Sequence, residues 1–165
     1  MSWLWTLWIA SFTPLAHAAD IPDPCGRFRS SVDPATGTVT RTARAPTWAV
    51  QQTGATTTFQ VLLQRAGHHA EPLADGDTVC LHLANGEDVA LPVTHSAAPV
   101  HTPTKYDGVT WWRAEVVVPA EVAARIARSE LVDVDTANRA RLAGRGAAQR
   151  RQIAAAFACV TEPTP

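Results

Sequence analysis

The sequence has little of what would point to a familiar chemistry. It contains one lysine and one tyrosine, and its 14 basic and 15 acidic residues give a formal net charge of −1. A nearly neutral chain is not a general binder of polyanions, so we do not expect nucleic acid as a partner. The metalloprotease motif H-E-x-x-H and the hydrolase motif G-x-S-x-G are both absent. The sequence therefore predicts no catalytic residue and no cofactor.

Cysteine is also scarce, with Cys25, Cys80 and Cys159 as the three members. No two of them form a C-x-x-C pair, which excludes a thioredoxin-like redox motif. In an oxidising compartment two of the three are expected to pair and one to remain a thiol. Because domain termini often lie close together, we predict a Cys25–Cys159 disulfide, with Cys80–Cys159 as the alternative.

No apolar run reaches the length of a membrane span. The apolar N-terminal stretch is interrupted by Pro14 and His17 before the roughly 20 apolar residues that a spanning helix needs. The small residues Ala16 and Ala18 form the A-x-A pattern of a signal peptidase site. We predict that residues 1–18 are a cleaved signal peptide and that the mature protein is periplasmic or secreted, without a transmembrane anchor. An uncleaved anchor and a buried N-terminal helix are the alternatives.

The strongest local signal is Asn85-Gly86 between two alternating apolar runs, which is typical of a β-hairpin. A two-residue turn would place the valines and leucines of the two arms on opposite faces. A three-residue loop with Gly86 in the left-handed conformation places them on one face. We therefore predict the second register, with Leu81 opposite Val89 and His82 opposite Asp88.

The remaining apolar periodicity predicts further strands over 58–64, 111–118 and 131–135, with weaker ones near 38–40 and 46–50. Pro119 opens a predicted short helix, and a second helix is predicted over 138–159. The fold class is predicted to be α+β, with a mostly antiparallel sheet of about five to seven strands. The short helix and the C-terminal helix are expected to pack on one face of that sheet. One domain is expected over 19–160, followed by a flexible tail over 161–165.

Histidine is the residue type that can hold a metal in this chain. His68 and His69 are adjacent in a predicted loop and His82 lies on a predicted strand, so these three can approach one another and bind zinc or copper. Their spacing matches no ligand motif, and ordinary surface histidines are the alternative. Cys80 precedes His82 by two residues, but it follows no helix N-terminus that would lower its pKa, so it is predicted to pack or to pair.

Two surface features are suited to binding a partner. On the strand that begins near Trp111, we predict that Trp112 points inward and Trp111 outward. An exposed Trp111 near Tyr106 can stack on a sugar or anchor a protein, whereas capping of a sheet edge is the structural alternative. The second feature is a basic run on the predicted C-terminal helix, which can contact an acidic protein, phospholipid head groups or an anionic glycan, or can simply be solvated. Its members are Arg139, Arg141, Arg145, Arg150 and Arg151.

These features favour an exported, non-enzymatic accessory domain that binds another protein or an envelope component. Its candidate binding residues are Tyr106, Trp111, Arg145, Arg150 and Arg151. Two other hypotheses stay open. One is a small metal-dependent enzyme that uses the three histidines, and the other is a structural envelope protein that self-associates.

Overall fold

A computed structural model describes residues 28–129, 131–137, 139–144 and 146–161 of the chain. The predicted signal peptide, Cys25 and Arg145 lie outside the described residues. Thr161, predicted to begin the tail, is the last residue of a helix, and the other four tail residues also lie outside. None of the described helices combines the length and the apolar character that crossing a bilayer requires.

The described residues form ten strands and two helices. In chain order they are β1 (Phe28–Val32), β2 (Val39–Ala45), β3 (Trp48–Thr53), β4 (Thr56–Ala66), β5 (Thr78–Leu83), β6 (Asp88–Ser96), β7 (Val100–Thr102), β8 (Val109–Val118), α1 (Ala120–Arg128), β9 (Leu131–Thr136), β10 (Arg141–Leu142) and α2 (Ala147–Thr161).

Six of these strands close into a barrel in the order β4, β8, β6, β5, β9 and β10. The pairing of β10 with β4 completes the ring. The meander β1–β2–β3 extends from β4, and β7 pairs with β8. Every strand pairing in this part of the chain is antiparallel, which confirms the prediction of a mostly antiparallel sheet. The predicted count of five to seven strands is too low, and the closed, β-rich barrel fits the α+β class only roughly.

The strand β4 has three neighbouring strands. It pairs with β8 along one edge for ten residues, from Thr57 to Ala66. Its other edge pairs first with β3 and then, at Leu63 and Gln64, with β10. Between these two partners, the Leu62 N–H donates to the Thr47 carbonyl oxygen at 2.8 Å. A single long strand therefore joins the barrel to the meander.

The β5–β6 hairpin confirms the register predicted from the apolar pattern. Leu81 lies opposite Val89 and His82 lies opposite Asp88. Gly86 has a φ of 84°, the left-handed conformation that the longer loop requires. The leucines and valines of this hairpin therefore face the barrel interior together.

The helices close one end of the barrel, which we call the helical end. The short predicted helix is confirmed as α1, whose Val122, Ala123 and Ile126 are buried. The ring of Phe157 in α2 lies 5.6 Å, centroid to centroid, from that of Phe59 in β4. Arg125 of α1 forms an ion pair with Glu87 in the β5–β6 turn.

The predicted start of the C-terminal helix at residue 138 is wrong. Residues 141–142 form β10, and the helix begins at Ala147. Gly144 has a φ of 77°, which ends the extended segment in a turn before α2 starts. The helix then packs against α1, β2, β3 and β9.

Candidate functional site

The β7–β8 hairpin lies at the end of the barrel opposite the helices. In its register Val100 lies opposite Trp111, and Thr102 lies opposite Val109. Trp112 is 1% exposed, whereas Trp111 is half-buried on the outer face. The predicted inward and outward directions of the two tryptophans are therefore confirmed. Val100, beside Trp111 on the outer face, is 62% exposed.

The tip of this hairpin holds a solvent-exposed aromatic ring on a hydrogen-bonded turn. Tyr106 is 79% exposed, and the Lys105 ammonium lies 5.7 Å from the centre of its ring. The hydroxyl of Thr104 accepts the N–H groups of Tyr106 at 3.3 Å and of Gly108 at 3.1 Å. The turn is thus fixed by hydrogen bonds while the tyrosine ring is left to solvent.

Three histidines gather where this hairpin meets the loop of residues 67–76. The rings of His68 and His101 stand edge to face, 4.7 Å apart. The His69 ring lies 5.9 Å from that of Trp112, and its Nε2 is 2.9 Å from the Ala66 carbonyl oxygen. These contacts place His68 and His69 against the hairpin and use their rings for packing and for local hydrogen bonds.

A buried hydroxyl holds the same loop in place. Thr110 is fully buried, and its hydroxyl donates to the Gly67 carbonyl oxygen at 2.7 Å and accepts the His69 N–H at 3.0 Å. The Trp112 indole N–H donates to the carbonyl oxygen of Glu71 at 3.0 Å. Leu73 inserts from the loop and is 4% exposed. We call this closure, made by residues 67–76, the loop end.

The structure does not bring the three predicted metal ligands together. His68 and His69 lie at the loop end, but His82 lies on the barrel wall, with its Nδ1 2.7 Å from Asp88 and its Nε2 3.2 Å from Asp135. In the described ranges no group of three or more His, Cys, Asp or Glu side chains is arranged to hold a metal ion. The predicted cluster of His68, His69 and His82 is therefore wrong, because His82 lies near the end of β5 farther from the loop and its ring contacts carboxylates on the barrel wall.

The side chains of His82 and Cys80 lie near the carboxylates of Asp88 and Asp135. The hydrogen bond to Asp88 raises the pKa of His82, and Asp135 raises it further. Burial raises the pKa of the Cys80 thiol, and the nearby Asp135 and Asp88 act in the same direction. A thiol with a raised pKa is a poor nucleophile at neutral pH. Burial and the two nearby carboxylates therefore disfavour the Cys80 thiolate that a Cys80–His82 catalytic pair would need.

The cysteine alternatives are partly resolved. Cys80 is a free thiol on β5, so the alternative Cys80–Cys159 bridge is not formed. Cys25, the preferred partner of Cys159, lies outside the described residues. The Cys25–Cys159 disulfide therefore stays a prediction.

The predicted arginine run does not form one helical face. Arg139 has a left-handed φ of 65° and Arg141 belongs to β10, so neither lies on α2. Arg151 is exposed on α2, whereas Arg150 is half-buried and has an intramolecular partner. Arg145 lies outside the described residues. Of the two binding features, the hairpin of Tyr106 and Trp111 thus has the clearer geometry.

The chain matches no protein-family model, no curated protein and no solved structure.

Proposed function

We propose that this protein is an exported, non-enzymatic binding domain that binds another protein through the β7–β8 hairpin. The observation that carries the proposal is the exposure of apolar and aromatic side chains on this one hairpin. Tyr106 and Val100 are the two most exposed large hydrophobic residues in the described part of the chain. Trp111 stands beside Val100 on the same outer face.

Aromatic residues support a protein partner in particular. Tyrosine and tryptophan are enriched at the centres of protein interfaces, where they bury large areas at low conformational cost. The Thr104 hydrogen bonds hold the backbone under Tyr106, so little further ordering is needed when a partner binds. A rigid turn with an exposed ring is the expected form of an interface anchor.

The position of β7 in the sheet adds a second mode of contact. β7 is the last strand of the sheet beyond β8, and no described strand pairs with its outer edge. An extended peptide can add to such an edge through main-chain hydrogen bonds, with side chains giving specificity. Val100 and Trp111 would then line the surface against which that peptide lies.

The test is partner recovery from the extracytoplasmic fraction of the protein's own host after chemical cross-linking. We expect the double variant Tyr106→Ala/Trp111→Ala to lose tenfold or more of a partner that the native protein recovers, because both anchors are gone. Val132→Thr is the matched control, since Val132 is an exposed valine on β9, 45% exposed. Equal recovery by the native protein and the double variant would contradict the proposal.

Two further readouts of the same experiment separate the alternatives. Loss of recovery only on reversing the charge of Arg150 and Arg151 would instead indicate an acidic envelope component that binds at α2. Recovery of the chain itself, lost in the double variant, would indicate self-association through the hairpin. The mass of the recovered protein tests export, since cleavage after residue 18 leaves Ala19 as the first residue.

A further inference from the structure

The outer face of the sheet carries a cleft of about 480 Å³. It lies where the β2–β3 turn meets the middle of β4, and Arg113 of β8 borders it. Cavities of this size are typical of small-molecule sites. The lining residues that matter for its chemistry are Arg44, Pro46, Ala49, Gln60, Leu62 and Arg113.

The cleft is lined by cations and by no acidic residue. Arg44 and Arg113 are its charged residues, both are exposed, and neither forms a salt bridge within the described ranges. The nearest carboxylate by register is Glu115, which lies opposite Gln60. Its Oε2 accepts the Gln60 amide at 2.7 Å, so this carboxylate already has a partner beside the cleft. Two arginines are left to face the opening.

The strand order places these arginines on opposite sides of the opening. Arg44 lies on β2 and Arg113 on β8, with β3 and β4 between them. By register Arg44 is level with Glu115, and Arg113 lies two residues further along β8, so three strand spacings and this offset separate the two arginine backbones by about 16 Å. Two long side chains on either side of such a gap are well placed to hold a ligand between them, and a guanidinium binds a carboxylate through two parallel hydrogen bonds.

About half of the surface that lines the cleft is apolar. Pro46, Ala49 and Leu62 contribute carbon surface. Trp48 and Val61 lie opposite each other and are buried on the inner face of the sheet, so their side chains point away from this outer-face cleft.

We propose that this cleft binds a small organic anion, namely a carboxylate attached to an apolar group. The arginines recognise the carboxylate, and the Pro46 and Leu62 walls take up the apolar group. This site does not rest on the proposed protein-binding function, because its lining includes none of Val100, Tyr106 and Trp111, although Arg113 also lies on β8.

The experiment titrates the ¹⁵N-labelled protein with sodium hexanoate and follows the backbone amide and tryptophan indole N–H signals. We expect saturable shifts of the Leu62 and Arg113 amide signals with a Kd on the order of 1 mM, as suits a probe of few heavy atoms. The Trp112 signal is the internal reference, since its indole N–H is bonded to Glu71 in the loop. The neutral isostere hexanamide is expected to cause no saturable shift, and inorganic phosphate is expected to bind more weakly than hexanoate.

Substitutions at exposed arginines are expected to leave the fold unchanged. Arg44→Gln and Arg113→Gln are each expected to weaken hexanoate binding about tenfold, because each removes one charged donor. Arg29→Gln, at an exposed arginine on β1 outside the cleft, is expected to bind as the native protein does. Equal binding of hexanamide, equal or tighter binding of phosphate, equal affinity in all variants, or no saturable shift at about 50 mM hexanoate would each overturn the proposal.

Discussion

The two ends of the barrel are closed by different kinds of interaction. At the helical end, α1 and α2 insert apolar side chains such as Ile126, Ile153 and Phe157, all 1% exposed or less. At the loop end, Leu73 is the buried apolar residue of residues 67–76, and the loop is held mainly by the hydrogen bonds of Thr110 and Trp112. Apolar burial is non-directional, whereas these hydrogen bonds depend on individual atoms.

This difference has a consequence for how each end behaves. Helices packed over a broad apolar area open only when the whole domain unfolds, whereas a loop with few buried apolar contacts opens locally at lower free energy. The proposed binding hairpin lies at the end that opens more easily. We infer that stability and recognition are divided between the two ends, and the following predictions test that division.

The largest expected effect is at the helical end. Phe157→Ala removes a ring that is 1% exposed and packs on Phe59, and it should lower the free energy of unfolding by about 3–5 kcal/mol. Urea denaturation followed by far-ultraviolet circular dichroism measures this loss. Phe157→Leu, which keeps most of the apolar volume, should lose clearly less. A loss below about 1 kcal/mol for the alanine variant would mean that the helical end is not the main source of stability.

A smaller effect is expected at the loop end. Gly108 has a φ of 81°, and a Cβ there would lie 2.5 Å from the His101 ring and 2.7 Å from the Thr102 carbonyl oxygen. Gly108→Ala should therefore cost about 1–3 kcal/mol and should increase amide hydrogen exchange in residues 67–76 more than at the helical end. The control is Gly76→Ala, at a φ of 90° with nothing within 4 Å, which carries the backbone strain without the contact. Equal effects of the two variants would show that contact with His101 does not matter.

The smallest effect is on the wall between the two ends, at His82. Its raised pKa means that the folded protein binds the proton more tightly than the unfolded chain does. The stabilisation is therefore complete below the unfolded pKa of about 6.5 and is lost as pH rises through the higher folded value. Because the His82 side chain is 32% exposed and that of Asp88 is 70% exposed, we expect only about 0.2–1 kcal/mol.

Comparing the native protein with His82→Gln by urea denaturation tests this pH dependence. The difference in stability should be largest near about pH 5.5 and should vanish by about pH 8.5. Asp88→Asn removes the main cause of the shift and should behave similarly. A difference that grows with pH would have the wrong sign and would contradict the assignment.

Local features of the fold were predictable and long-range ones were not. The β5–β6 register follows from one turn and from side chains a few residues apart. The left-handed conformation expected at Gly86 was therefore enough to predict it. Barrel closure depends on Arg141 and Leu142, a strand of two residues that has no periodicity to detect. The helix predicted over 138–159 includes Gly144 and Gly146, whereas the observed helix begins after them at Ala147.

The same distinction applies to the candidate sites. The inward and outward directions of Trp112 and Trp111 follow from strand alternation alone. The contact of His68 with His101 depends on β7, a three-residue strand that the sequence does not reveal. The cleft joins Arg44 and Arg113 from strands far apart in the chain, so no local motif marks it.

The pairing of β4 with three strands has a consequence for folding kinetics. The ring is complete only when Gln64 meets Arg141, which are distant in sequence, and such non-local contacts place a domain among those that fold in milliseconds to seconds. Until then the edges of β4 and β9 remain open to strands of other chains. Slow docking of the two-residue strand β10 would lengthen the time for which those edges are exposed to other chains.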